Sequence, residues 1–400
     1  MSSSHSACFP SSPGARAAED ERFGDADISS LLAMLASVPD PRSPQGIQHF
    51  LEFVLAVCVV AMLAGARNYR EIASHAADIP QPLLRKLGAS WNWFRHRCKY
   101  PSESTIRNVL TRIDAAGLDM ITGAWLSAQA RKSGNGEREI ALDGKVMRGA
   151  WTDENQQVTL FSAMLHREAV TIAQVRVPDG TNEITQADTL LDAAGIPEGE
   201  PVLVTIDAAH TQRETAVTIG GKPGWDYLMT VKGNQPSLQR AVFDAVLPLL
   251  AGTPHHVMEE RSRGRIRRRS CWITGAGEID FPHARQAAVI RREIFEISGD
   301  CISREHALIL TSRDTEKMSA ADVSRHVRGH WGIENKSHYI RDTVYREDSS
   351  QAWAAEGPHS LASLRNLTLG LFRLKNANAI KETTEWVCRD RMRALQFMTT

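Results

Sequence analysis

The chain has 400 residues, of which 42% are hydrophobic and 24% are charged. This composition is typical of a folded globular protein with a sizeable core, and it excludes a disordered, collagen-like or coiled-coil chain. Basic and acidic residues number 47 each. The net charge therefore offers no support for a nucleic-acid partner, and any such interaction must depend on local basic patches.

The N-terminal segment, residues 1–27, is rich in Ser, Gly and Pro and lacks the basic-then-apolar pattern of a secretory signal. We expect a disordered leader on a cytoplasmic protein. The six cysteines are far apart and form no C-x-x-C pair, which favours a reducing compartment. The longest apolar run, Phe53 to Ala66, is shorter than the roughly 20 residues that a membrane span needs, so it predicts a buried helix and no membrane partner.

Residues 28–132 show apolar positions at helical spacing, interrupted by Gly and Pro, which predicts an all-helical N-terminal domain. Within it, Ser102 is the expected N-cap of a helix in PSESTIRNVLTRID. Arg107 and Arg112 project from the polar side of that helix, as in DNA-binding helix-turn-helix modules. The alternative is a solvated helix face with no DNA contact.

From residue 138 onward, β-like runs alternate with helical ones, which predicts an α/β domain with a mixed sheet flanked by helices. We expect two strands to end in aspartate, at Asp143 after EIAL and at Asp207 after VLVTI. The ends of such strands are a usual place for ligands, although a single Asp there is more often a turn-former or a helix cap. Two neighbouring carboxylates repel unless a cation lies between them, and their hard oxygens suit Mg²⁺ or Mn²⁺.

A third acid is expected on a helix over the same edge, in the segment RGHWGIENKSHYIRD (328–342). If that segment is helical, its spacing places four side chains on one face: His330, Glu334, His338 and Arg341. The alternative is a solvated amphipathic helix with a histidine in the core. A zinc site is less favoured, because the spacing is not H-E-x-x-H.

Several short motifs occur in an order that resembles one known family. They are VPDPRSPQGIQH (38–49), AMLAGARNYREIA (61–73), PSESTIRNVLTRID (101–114), ALDGKVMRGA (141–150), NEIT (182–185), VTIDAAHTQ (204–212), YLMTVKGNQ (227–235), HWGIENKSHYIRDTVYREDSS (330–350) and SLRNLTLGLFR (363–373). On these motifs the sequence resembles the DDE-type transposases of bacterial insertion sequences, specifically the H-repeat-associated family.

The resemblance implies a helical associated domain at 28–132 and an RNase H-like catalytic domain at 138–376. It also implies a β-rich insertion at about 250–312, followed by a helical tail at 377–400. Asp143, Asp207 and Glu334 match the family's catalytic, metal-binding triad, for which two Mg²⁺ or Mn²⁺ ions are expected to support DNA cleavage and strand transfer at the ends of an element.

The expected partner is double-stranded DNA, bound by a homodimer or larger oligomer in the nucleoid. Residues in the motifs or in basic stretches that are candidates for DNA contact are Lys145, Arg148, Lys232, Asn234, Gln235, Arg263, Arg265, His330, Asn335, His338, Arg341, Arg107 and Arg112. Two alternatives stay open: an RNase H-like nuclease without strand transfer, and a transposase-derived DNA-binding protein whose catalysis is vestigial.

Overall fold

The computed structural model describes residues 27–132, 134, 136–151, 156–262, 264–350 and 355–399. The predicted leader therefore lies outside the described residues, except for its last position. The chain divides into two compact units. Unit 1 comprises residues 1–121, 344–346 and 354–400, and unit 2 comprises residues 122–343 and 347–353. The segment 354–400 thus groups with the N-terminal helices, whereas the sequence assigned it to the catalytic domain up to residue 376.

Unit 1 is helical, as predicted. Its helices are α1 (Ser29–Ala36), α2 (Leu51–Leu63), α3 (Tyr69–Ala77), α4 (Gln81–Lys86), α5 (Glu103–Leu110), the first part of α6 (Ala115–Arg131), and, after unit 2, α12 (Gly357–Leu374), α13 (Ile380–Arg389) and α14 (Leu395–Met398). A two-stranded ribbon, β1 (Trp91–Asn92) and β2 (Arg97–Cys98), lies between α4 and α5.

The local sequence explains these helices. In α2 every residue except Glu52 is buried, which confirms that the apolar run is a core helix. None of the described helices has the length and apolar character required to cross a membrane. The Ser102 hydroxyl accepts the backbone N–H of Thr105, which confirms the predicted cap of α5 and satisfies one of the N–H groups that a helix start leaves unpaired.

The described part of unit 2 contains one mixed nine-stranded sheet in the order β5-β4-β3-β6-β7-β11-β10-β9-β8. The strands are β3 (Arg138–Trp151), β4 (Gln157–Leu165), β5 (Thr171–Arg176), β6 (Val202–Ile206), β7 (Trp225–Val231), β8 (His256–Ser262), β9 (Arg265–Gly275), β10 (Gln286–Glu296) and β11 (Cys301–Thr311). Only the pairs β3/β6 and β6/β7 are parallel. This arrangement of the first five strands confirms the expected RNase H-like mixed sheet.

The predicted β-rich insertion is confirmed as the four strands β8 to β11. They form antiparallel neighbours, and β11 pairs with β7 from Leu308 to Thr311. The insertion therefore continues the central sheet instead of forming a separate domain.

Helices flank this sheet: α7 (Ala187–Ala193), α8 (Arg213–Gly220), α9 (Pro236–Val246), α10 (Ala320–His330) and α11 (Tyr339–Thr343). Helix α10 packs on β3, β6, β8 and β9 and buries Val323 and Val327 in a core shared with the sheet. Ser319 and Asp322 form a capping box at its start, which satisfies two backbone N–H groups reciprocally. This packing fixes the end of α10, from which the segment carrying Glu334 continues.

Candidate active site

Asp143 lies on β3, and Asp207 directly follows the end of the neighbouring parallel strand β6. The register pairs Leu142 with Ile206, so an aspartate comes next after each of these paired residues, and adjacent strands are about 4.8 Å apart. Asp207 follows the end of β6, as predicted. The prediction that a strand ends at Asp143 was wrong, because β3 continues to Trp151 and pairs with β4 beyond the acid.

Glu334 lies on a short π-helical segment, Glu334–His338, between α10 and α11. One donor atom from each of Asp143, Glu334 and His338 lies within 4.8 Å of the others. His338 Nδ1 is 3.4 Å from Asp143 Oδ2 and 3.3 Å from Glu334 Oε2. The π-helical turn thus brings an acid from late in the chain to the acid on β3.

The carboxylates of Asp143 and Glu334 favour a positive charge between them. Burial lowers the pKa of His338, but its hydrogen bonds to Asp143 and Glu334 outweigh that effect and raise the pKa. The contact with His338 in turn lowers the pKa of Glu334. The His338 ring is almost fully buried, and its Nε2 has no hydrogen-bond partner in the part of the chain that the structure describes. A cluster of two carboxylates and one imidazole also fits a divalent cation in chemistry and in size.

Asp207 is ionised beside a lysine. Burial would raise its pKa, but the backbone N–H of Ala208 and the charge of Lys232 hold the pKa below the usual range. Lys232 Nζ is 3.2 Å from Asp207 Oδ1. Asn234 and Gln235 follow on the same loop, where their amides donate to backbone carbonyls of Ala208 and Thr211. Both amides therefore hold the loop after Asp207 in place.

His330 lies at the end of α10, with Nδ1 3.1 Å from the Thr205 hydroxyl. Burial lowers its pKa to about 4, against the opposing charges of Asp143 and Asp207. The imidazole is therefore neutral near pH 7, next to two of the three predicted acids.

Three of the predicted DNA contacts are buried within unit 2. His338 lies between Asp143 and Glu334, and Lys145 and Arg341 pair with other acids. Lys145 lies 2.7 Å from the Asp342 carboxylate and 3.2 Å from that of Asp348. Arg341 is fully buried and lies 2.8 Å from Glu347. The spacing argument placed Arg341 on one face of a regular helix with Glu334 and His338, but the π-helical turn interrupts that helix. Both cations are occupied by acids of unit 2 and hold its C-terminal part.

The other predicted basic and polar residues are largely accessible where they are described. Arg148 is 78% exposed, 3.5 Å from Asp348. Asn335 and Arg265 are exposed, and Arg263 lies outside the described residues. In unit 1, Arg107 pairs with Glu103 at 2.7 Å and Arg112 donates to the Pro41 carbonyl. Side chains on both units thus remain exposed enough to meet a phosphate.

Sequence reasoning missed a basic cavity of about 330 Å³, whose lining includes Asn335 and Lys336, the two residues that follow Glu334 in the chain. Its charged lining is Arg269, Arg292, Arg328 and Lys336. Trp331 also lines it, half exposed, with the guanidinium of Arg292 5.0 Å from its ring centre. The arginines come from the insertion and from α10, so only the pairing of β9 and β10 brings them together. The arginine-rich run in β9 was the available signal.

Sequence reasoning also missed Glu183. Its carboxylate lies against the backbone of Gly144, where a Cβ atom would overlap it, and its Oε2 is 3.0 Å from His210 Nε2. A fourth acid therefore lies next to the residue that follows Asp143. Its signal was the NEIT motif, which the sequence comparison noted without assigning a role.

A mixed sheet with acids on adjacent parallel strands, and a third acid from a later helical segment, defines the class of proteins with RNase H-like catalytic folds. Family comparison is more specific. Residues 134–365 match the family described as Transposase DDE domain, and residues 32–126 match the family described as DDE_Tnp_1-associated. The chain belongs to the DDE transposase family.

Its relatives agree with this assignment. The chain is 27% identical to "Putative transposase YncI" of Escherichia coli O157:H7, over 86% of this chain and 88% of that protein. It is 25% identical to "H repeat-associated putative transposase YhhI" of Escherichia coli K12, over 86% and 90%. Among solved structures, the piggyBac transposase synaptic complex with hairpin DNA matches with a TM-score of 0.43 and 9% identity, over 95% of this chain and 80% of that one.

Proposed function

We propose that this transposase cleaves DNA at the ends of an insertion sequence and joins those ends to target DNA, with Asp143, Asp207 and Glu334 as its catalytic acids. The observation that carries the proposal is the convergence of Asp143 and Glu334 on His338, with donor atoms within 4.8 Å. Asp207, directly after the adjacent strand β6, is assigned as the third acid.

These three acids would hold magnesium or manganese, with two ions expected. Such ions supply the charge that activates an attacking water or 3′-hydroxyl and stabilises the departing oxygen. The protein's own groups prepare the site. Lys232 keeps Asp207 ionised, and neutral His330 offers a ring nitrogen beside Asp143 and Asp207 without adding a charge. A cation bound between the two carboxylates would require His338 to release its proton.

Double-stranded DNA is the proposed substrate, and the basic cavity supports this choice. Four cations line this cavity, where a phosphate backbone is attracted in spite of the zero net charge of the chain. We assign Arg148, Asn335 and Arg265 to further contacts on unit 2, and Arg107 and Arg112 to contacts on unit 1. Because two ends must meet, we also propose that the chain acts as a dimer on DNA associated with the nucleoid.

The test compares the full chain with Asp143→Asn and with Asp244→Asn, a matched change of an exposed aspartate on α9. Each protein is given DNA that carries the element end, either intact or pre-cut, with Mg²⁺ and a target plasmid. We expect Asp143→Asn to bind DNA in a band shift but to lose cleavage and joining by about a hundredfold or more. Asp244→Asn should behave like wild type.

The same assays separate the alternatives. Cleavage of intact DNA without any joined product from pre-cut ends would indicate a nuclease. Band shifts without either reaction in wild type would indicate a vestigial DNA-binding protein. Joining by Asp143→Asn at the wild-type rate would refute the assignment of the acids.

A further inference from the structure

A second cluster of metal-ligating side chains lies on the same face of β3 as Asp143. It consists of Glu139 on β3, His166 in the turn after β4, and His326 on α10. Because Glu139 precedes Asp143 by four residues on an extended strand, their backbones are roughly 13 Å apart. The cluster is therefore separate from the proposed catalytic acids.

Its geometry is that of a cation site. Glu139 Oε2 is 3.5 Å from His166 Nδ1 and 3.2 Å from His326 Nδ1, and one donor atom of each residue lies within 4.8 Å of the others. Ligands bound about 2.0–2.1 Å from a tetrahedral zinc ion lie roughly 3.3 Å from one another. The two measured separations bracket that value.

Hydrogen bonding leaves the two imidazole nitrogens unsatisfied. His166 and His326 are 6% and 1% exposed, and among the described residues neither Nδ1 makes a hydrogen bond of good geometry, although both face the same carboxylate oxygen. Both side chains are thus more than nine-tenths buried and directed into the cluster. An imidazole nitrogen buried without a partner is costly.

The Thr205 hydroxyl contacts the other ring nitrogen of His166. Its oxygen is 2.7 Å from His166 Nε2, 3.1 Å from His330 Nδ1 and 3.3 Å from the Ile140 carbonyl. When His166 Nε2 donates to this oxygen, His166 Nδ1 presents a lone pair towards the Glu139 carboxylate. A cation between Nδ1 and Glu139 requires this tautomer, and fixing it through the other nitrogen is usual for metal-binding histidines.

The site also has an entry. Glu139 lines a cavity of about 600 Å³ whose other charged residues are three glutamates and three arginines: Glu137, Glu168, Glu200, Arg131, Arg138 and Arg167. Arg325 Nη2 is 3.1 Å from His326 Nε2, but its side chain is 63% exposed and also pairs with Asp322. The guanidinium has room to turn away once Nε2 carries the proton.

We propose that Glu139, His166 and His326 bind one zinc-type divalent cation that fastens α10 to the central sheet. One carboxylate and two imidazoles are the ligands that zinc accepts, with a fourth position left for water from the cavity. Because α10 leads into the segment that carries Glu334, the bound ion would fix the start of that segment. This inference does not depend on the catalytic role of the three acids.

The experiment uses the full-length Asp143→Asn protein, in which the other cluster has lost a ligand. It is incubated with Zn²⁺, desalted and analysed by elemental mass spectrometry. We expect about one zinc ion per chain, falling to less than about a tenth when Glu139→Gln is added. The matched control adds Glu168→Gln, which changes another acid of the same cavity and should leave the zinc in place. Circular dichroism checks the fold of each protein.

A cobalt-loaded sample gives a second measurement that needs no change in the cluster. Coordination by the two histidines should produce two exchangeable imidazole N–H signals, strongly shifted in the proton NMR spectrum. Failure of Asp143→Asn to retain zinc would overturn the proposal even if Glu139→Gln does not fold. So would zinc retention by folded Glu139→Gln, or a cobalt spectrum without these signals.

Discussion

The buried ion pair between Arg341 and Glu347 provides the sharpest test of how unit 2 is held together. Both side chains are fully buried, and Arg341 Nε and Nη2 each lie 2.8 Å from Glu347 Oε2. Arg341 Nη1 is also 3.3 Å from Gln174 Oε1 on β5. The pair therefore ties the segment after Glu347 to α11 and to the edge of the sheet.

Removing one partner takes away the ion pair of the other while that residue stays buried. For Arg341→Met or Glu347→Leu alone we expect the free energy of unfolding to fall by about 3–5 kcal/mol. The lower figure raises the unfolding equilibrium constant by more than about a hundredfold. The double variant, Arg341→Met with Glu347→Leu, removes both charges of the pair, so we expect it to recover most of that loss.

The assay is urea unfolding of the full chain, followed by circular dichroism, together with a DNA band shift for each variant. We expect the double variant to bind DNA like wild type. If Arg341→Met is as stable as wild type but binds DNA weakly, Arg341 contacts phosphate and the reasoning from burial is refuted. The same holds if the double variant loses as much stability as the two single variants combined.

Four further predictions follow from individual contacts and exposures. Ser319→Ala should lower the free energy of unfolding by about 1 kcal/mol at pH 7 through loss of the capping box. Burial raises the pKa of Asp322, but its bonds to Ser319 outweigh burial and lower that pKa below its usual value. The stability difference between wild type and Asp322→Asn, measured by urea unfolding, should therefore be present above pH 4 and vanish as the pH falls through the lowered pKa; a constant difference down to pH 2 would contradict this. Gly149→Ala should destabilise unit 2 by about 1–3 kcal/mol in the same assay, because its Cβ would overlap the carbonyl oxygen of Ser350; unchanged stability would show that this segment shifts freely. Cys301 is exposed and should react with a thiol reagent at pH 8 before the buried Cys58, Cys98 and Cys271, whereas equal labelling of these buried cysteines would contradict the packing.

The sequence by itself determined most helices and strands and indicated the three candidate acids. Hydrophobic periodicity and capping residues such as Ser102 act over a few positions, so the helices of unit 1 and the core helix α2 could be read from the chain. Alternating strands and helices predicted the mixed sheet of unit 2 and indicated Asp143, Asp207 and Glu334, and the resemblance matched the same three acids to the family's triad. Strand ends were less certain, because β3 continues past Asp143 through pairing with β4, a partner that local sequence does not reveal.

Only the tertiary structure decided which side chains meet. The regular helix expected through His330 and Arg341 contains a π-helical turn, which places His338 against Asp143 and leaves Arg341 inside the protein beside Glu347. The basic cavity and the Glu139 cluster each join residues from separate strands and from α10. Such contacts depend on strand order and register, which arise from the packing of the whole sheet and not from the spacing of residues along the chain.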